Sequence, residues 1–154
     1  MGKLAIIADD LTGALDAAAP FCGVAGGVWV ATRPEDFGQA LAMGGGVVSV
    51  STRSREISSE DARRRMAHVL ADIPAGMQVL KKIDSRMKGN IAAELEAFRG
   101  RPMIVSPAIP EFGRVVRDGM LTGPGIETPI DIRGELGALA ECADVPDFTS
   151  VDDV

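Results

Sequence analysis

The stretch KLAIIADDLTGALDAAAPFC, residues 3–22, joins an unbroken apolar run to an alanine-rich one through two adjacent carboxylates, Asp9 and Asp10. Residues 3–8 show no polar alternation, the pattern of a strand buried on both faces of a parallel sheet. Residues 11–21 read as a helix that ends between Pro20 and Gly23. A helix N-cap needs one carboxylate, not two. An adjacent pair repels itself unless a metal or a cationic side chain compensates. The pair therefore asks for a chemical reason as well as a structural one.

Working outward, strands and helices alternate. GVWVA (27–31) and GGVVSVST (45–52) read as the second and third strands, with a helix near 34–42 between them. The next helix, 59–73, carries Ala62, Met66, Val69, Leu70 and Ile73 as one apolar stripe at helical spacing. Ser58 lies three residues before Asp61, as in a capping box, and His68 lies off the stripe, as a surface residue. GMQVLKKID (76–84) is a fourth strand, 87–98 a helix, and RPMIVSPA (101–108) a fifth strand. Repeated β-α-β units predict an α/β fold, Rossmann-like and doubly wound, with a mostly parallel sheet and helices on both faces. Asp118-Gly119 between short apolar runs adds a β-hairpin near 114–122. PIDIRGELGALAECA (129–143) reads as a short helix. In the terminal VPDFTSVDDV, Thr149 or Ser150 looks like an N-cap with Asp152 and Asp153 in the first turn. A helix start without its helix is expected of a fragment of something longer.

The 154 residues suit one domain, 1–154, with 46% apolar and 25% charged residues. The net charge of −6 argues against a nucleic-acid partner. The first residues lack the features of a signal peptide, and no apolar stretch approaches the ~20 residues of a membrane span. Cys22 and Cys142 have no metal-ligand spacing and read as reduced thiols, which fits a cytoplasmic protein.

Ligands of such sheets collect outside the carboxyl ends of the strands. There the sequence places Asp9, Asp10 and Thr12; then Thr52, Arg53 and Arg55; then Lys81, Lys82, Asp84, Ser85, Lys88 and Asn90; then Ser106, Glu111 and Arg114. Arginine forks match a carboxylate or phosphate, and aspartates accept hydrogen bonds from hydroxyls. The mixture suits a small ligand with anionic and hydroxyl groups. Arg53 and Arg55 alternate along an extended segment, so only one of them faces the cleft. Asp84-Ser85 could instead cap the following helix. A haloacid-dehalogenase mechanism is disfavoured, because its nucleophilic carboxylate would fall on Ala8. A phosphate-receiver domain is disfavoured too, since Thr52 and Arg53 stand where its phosphoacceptor would be. Neither a Walker A motif nor GxGxxG is present.

Four segments, IADDLTGALDAA, STRSR, KKIDSRMKGNIAAELEA and SPAIPEFGR, together resemble the N-terminal domain of the four-carbon acid sugar kinases. The resemblance runs from residue 3 to about 128. It implies a substrate-binding domain of an ATP-dependent kinase acting on threonate, erythronate or a related hydroxy acid. A separate C-terminal domain, joined in cis or supplied in trans, would hold ATP with Mg²⁺. It implies Asp9 and Asp10 in the substrate site, one of them orienting or deprotonating the attacking hydroxyl. Arg53, Arg55, Lys82, Asp84, Ser85, Asn90 and Arg114 would surround the substrate. Arg86-Met87-Lys88 departs from the family's usual Thr-Leu-Arg, and the hairpin is followed by a short Gly-Pro-Gly. A homodimer is among the assemblies the sequence allows. The non-enzymatic alternative is a stand-alone acid-sugar-binding module or an inactive truncated product.

Overall fold

A computed structural model describes residues 3–23 and 26–153; Val154, at the end of the expected tail, lies outside them. The chain divides into two compact units, Met1–Ile83 and Asp84–Val154.

In the first unit, β1 (Leu4–Ala8), β2 (Val28–Ala31), β3 (Val47–Ser51) and β4 (Gln78–Lys82) form a four-stranded sheet in the order β2-β3-β1-β4. Every pairing is parallel. The helices between them are α1 (Leu11–Ala18), α2 (Phe37–Ala42) and α3 (Ser59–Ala71). The sheet is central because its strands are apolar: Ala5, Ile6, Ile7 and Ala8 of β1 are fully buried. One face carries Ile6 and Val47 against Ala18 of α1, with Leu4, Ala17, Phe21, Val28 and Val30 packed around them. On that face the Ser49 hydroxyl donates to the Ala14 carbonyl, 2.8 Å away, and ties α1 down.

The path from β1 through α1 to β2 steps over β3 in one direction. The path from β3 through α3 to β4 steps over β1 in the other. Right-handed crossovers therefore put α1 and α3 on opposite faces of the sheet. Between β1 and β3 the chain departs to opposite sides, which makes the gap beyond their carboxyl ends the topological switch point, the usual ligand crevice of such sheets. Register keeps the strand ends level there: Ala8 is opposite Ser51 on one side and Lys82 on the other.

The second unit holds α4 (Ile91–Leu95), β5 (Met103–Ile104), β6 (Val115–Arg117), β7 (Met120–Thr122), β8 (Ile130–Asp131), α5 (Ile132–Leu136) and β9 (Ala143–Asp144). The hairpin expected from Asp118-Gly119 is present, joining β6 to β7. Both turn residues have positive φ, 52° and 75°, as a type I′ turn demands. β8 extends it to a three-stranded antiparallel sheet.

Three expectations change here. The short helix expected over 129–143 is confined to α5, with β8 before it and a 3-10 segment, Gly137–Cys142, after it, where Gly137 turns to φ +56°. The strand expected over 101–108 shrinks to the two residues of β5, which pair in parallel with β9 rather than joining the first sheet. Pro102 and Pro107 bracket it, and neither can donate to a ladder. The helix expected over 87–98 begins only at Ile91 and passes into a 3-10 turn at Glu96–Phe98. Upstream of it the Asp84 carboxylate accepts from the backbone N–H of Arg86 (2.8 Å) and Lys88 (3.3 Å), a local alternative to helix. Met87 is held at φ +57°, which ends any helical path there. The terminal turn at Val151–Asp153 is closed by Asp153, whose Oδ2 accepts from Thr149 N, Thr149 Oγ1 and Ser150 N.

Candidate functional site

Asp9 and Asp10 leave β1 at the switch point. Asp10 is the N-cap of α1, and its Oδ1 accepts from Gly13 N at 2.7 Å. The compensating cation is Arg55. Its Nε and Nη2 fork onto the two oxygens of Asp9 at 2.7 and 3.0 Å, and its Nη1 reaches Asp10 Oδ2 at 2.6 Å. One guanidinium thus spans both acids, leaving the trio one negative charge. The acids are not equivalent. The Asp9 side chain is 4% exposed and Asp10 30%, so Asp9 anchors Arg55 while Asp10 faces solvent.

Arg55 reaches the acids because the loop after β3 is fastened to the end of β1. Thr52 N and Thr52 Oγ1 both donate to the Ala8 carbonyl, at 2.8 and 2.9 Å. Ser54 N donates to the Asp9 carbonyl at 2.9 Å, and the Thr52 and Ser54 hydroxyls lie 2.6 Å apart. Both residues are buried. From α3, Arg65 Nη1 bonds the carbonyls of Thr52 (3.0 Å) and Arg53 (2.8 Å). These bonds hold Arg53 at φ +50°, a conformation disfavoured for a residue with a Cβ. The consequence is that Arg53 turns away from the acids: its Nε donates to the Thr32 carbonyl beyond β2, at 3.0 Å. Of the two alternating arginines, Arg55 joins the acid pair and Arg53 does not.

Lys82, at the end of β4, is half-buried. Its Nζ donates to the Ile83 carbonyl at 2.5 Å. Its stem lies close to α1: a Cβ at Gly13 would be 3.6 Å from Lys82 Cγ and 2.8 Å from Asp10 Oδ1. Glycine at 13 thus leaves room for both. Asp9, Asp10, Arg55 and Lys82 therefore belong to one group of strand ends in the first unit.

The other expected residues lie in the second unit. Asp84 organises the turn described above, and Asn90 is the N-cap residue of α4, its carbonyl accepting from Glu94 N. Arg114 Nη1 donates to the Ser85 hydroxyl, and its Nε to the Pro124 carbonyl at 3.0 Å. Sequence reading did not single out Ser54 or Arg65 as supports of the site. The small residue between two arginines was the available signal for Ser54; nothing local marks Arg65, ten residues beyond Arg55.

Among the described residues no three His, Cys, Asp or Glu side chains gather as a metal-binding group. The charge of the acid pair is met by a guanidinium instead.

Residues 4–130 match the model of a family described as the sugar-binding N-terminal domain. The chain belongs to this family. Curated relatives of this sugar-binding domain include a D-threonate kinase of Bordetella bronchiseptica, 35% identical over 127 residues, covering 77% of the chain and 31% of the relative. A D-threonate kinase of Cupriavidus necator is 33% identical over 75% of the chain and 28% of its own length. A D-erythronate kinase of Heliobacterium modesticaldum is 32% identical over 79% and 29%. The chain thus spans less than a third of the curated relatives it matches. Among solved structures, a domain of unknown function from Bordetella bronchiseptica, crystallised with citrate as a domain-swapped dimer, superposes with a TM-score of 0.77 at 26% identity. It covers 97% of this chain and 48% of that one. No helix among the described residues is long and apolar enough to cross a membrane.

Proposed function

We propose that this sugar-binding domain holds a four-carbon acid sugar of the threonate or erythronate kind for phosphorylation by ATP. The observation that carries the reading is the Asp9–Asp10 pair, tied by Arg55 at the switch point of the sheet. The names of the kinases it resembles supply the ligand class.

The division of labour follows from the geometry. Asp9, buried and doubly bonded, fixes Arg55. Arg55 and Gly13 N fix Asp10, whose carboxylate retains lone pairs toward solvent for sugar hydroxyls. Asp10 is the acid that orients the attacking hydroxyl. The Lys82 ammonium, with one hydrogen bond among the described residues, pairs with the sugar carboxylate. Phosphoryl transfer asks for such positioning and for charge stabilisation more than for covalent chemistry.

The chain itself does not fit ATP or Mg²⁺. It has no glycine-rich phosphate cradle, and its acid pair is already engaged by Arg55. We assign the nucleotide to an ATP-binding domain joined in cis or supplied in trans. Titration calorimetry with D-threonate and D-erythronate tests the reading. One of them should bind, and Asp10→Ala should weaken it roughly 10- to 100-fold, the worth of one charge-assisted contact. Absence of binding to either acid, or equal affinity in the variant, overturns it.

A further inference from the structure

The sheet of the first unit ends in two edge strands of different character. β4 carries Lys81 and Lys82, charged side chains of the kind that discourage a further strand. β2, the opposite edge, reads Val28-Trp29-Val30-Ala31 and holds neither charge nor proline. It pairs with β3 on one side only. In a sheet, alternate residues of an edge strand turn their N–H and C=O groups outward, where they form a template for another strand. Among the described residues no hydrogen bond outside the β2-β3 ladder engages residues 28–31.

Side chains make this edge apolar on both faces. Val28 and Val30 pack beside Ile6 and Val47 on the α1 face. Trp29 alternates to the other face and is 40% exposed. Its indole lies over the start of β3, where a Cβ at Gly45 would sit 3.1 Å from Trp29 Cδ1. Met43, two residues before that glycine, is exposed as well. The residues around Trp29 match in size when read in either direction: valine stands on each side of it, then Gly27 on one and Ala31 on the other. Antiparallel pairing of two copies about Trp29 therefore puts Trp29 opposite Trp29, Val28 opposite Val30 and Gly27 opposite Ala31. Each such pair shares a face, and aromatic and β-branched cross-strand pairs are the stabilising kind. Arg33, the first charge after the strand, is forked onto Asp36 at 2.9 and 3.1 Å. No unpaired charge thus lies within residues 27–33, although the chain as a whole is acidic. A foreign strand would have to supply a matching run by chance; a second copy supplies it by symmetry.

We infer that β2 is a self-association edge, through which two copies of this chain pair antiparallel about a two-fold axis at Trp29 and join their sheets into one. The contact is a single short strand with its flanking indole, at the small end of protein interfaces, so the dimer is reversible and depends on concentration. It stands apart from the acid-sugar reading, since it uses the sheet edge and none of the residues assigned to the ligand.

Trp29 is the single tryptophan of a chain without tyrosine, so its emission reports on this edge. The test is sedimentation velocity of the whole chain over a concentration series, read together with tryptophan emission and its quenching by acrylamide. As the chain sediments increasingly as a dimer, emission should move to the blue and quenching should decline over the same concentrations. Trp29→Lys sets like charges opposite each other across the axis and should weaken association roughly tenfold or more, with an unchanged far-UV circular dichroism spectrum. Leu80→Lys, an exposed position on the β4 edge, should leave association as it is. A monomer at every concentration overturns the inference, and so does a dimer whose tryptophan stays as quenchable as the monomer's. Undiminished dimer in folded Trp29→Lys overturns it too. The parent's own fluorescence decides the matter even where that variant fails to fold, and binding of threonate has no bearing on any of these outcomes.

Discussion

A methyl group added at Gly13 would approach Asp10 Oδ1 to 2.8 Å, within the space the carboxylate needs to cap α1. Alanine is the better helix former by about 1 kcal/mol, and the lost cap costs about as much. Gly13→Ala should therefore melt close to the parent, while its calorimetric affinity for the acid sugar falls about tenfold, one displaced contact. A stabilised variant with full affinity would show that Asp10 does not depend on that space. Arg55 is the opposite case. Its removal strands the buried Asp9 carboxylate, so Arg55→Ala should lower urea-unfolding stability by about 3 kcal/mol. Arg55→Lys should recover little, because an ammonium cannot fork across both acids. At this scale the sequence made the acid pair and its need for a cation legible. Alternation required Arg53 and Arg55 to face different ways without saying which faced the acids. That choice rests on carbonyl bonds from Arg65 and a positive φ at Arg53, and neither leaves a local trace.

Helix α3 links two jobs. Its start was legible: Ser58 Oγ accepts from Asp61 N at 3.1 Å, the cap expected from their spacing. Ser58→Ala should lower stability by about 1 kcal/mol, read as a reduced urea midpoint with unchanged slope. Its middle was not legible as a site support. Arg65→Ala should speed amide exchange at Ser54, which donates to the Asp9 carbonyl, while the amides of β1 keep their protection. Uniformly faster exchange would mean that Arg65 merely stabilises the fold. The inner strands β1 and β3 could be read because a strand covered on both faces needs a short run without charge, whereas the edge strands β2 and β4, whose Trp29 and Leu80 are exposed, were legible only as short apolar stretches between glycine and charge. Residues 84–104 misled for physical reasons. The Asp84 turn outcompetes a helix that composition favours, and two prolines confine an apolar stretch that otherwise reads as a strand.

Across the molecule, strand order is the property that local pattern could not supply. Handedness rules fix how β-α-β units cross, not which strand lands beside which, and the β2-β3-β1-β4 order is what puts the acids at a switch point. Charge is a second property on this scale, and it yields a test. Three solvent-exposed carboxylates on different elements are held below the ordinary value of 3.8. Asp36 is held by its hydrogen bond from Arg33, Asp61 by Ser58 and then Arg64, and Asp153 by the backbone N–H groups of Thr149 and Ser150. A lowered folded-state value means that the unfolded chain binds protons first as pH falls. Each group's stabilisation is complete above about 3.8 and fades as pH drops through its own lower value. Melting temperature should thus be insensitive to these groups between pH 7 and about 5, and decline below about 4. In the Asp36→Asn, Asp61→Asn, Asp153→Asn triple variant, the remaining acids titrate as before and these three drop out. Its melting temperature should fall less steeply than the parent's over that acid window, and the gap between the two curves should narrow in concentrated salt, which screens exposed pairs. Parallel acid limbs in the two proteins would mean that these contacts contribute nothing to folding, however short their bonds.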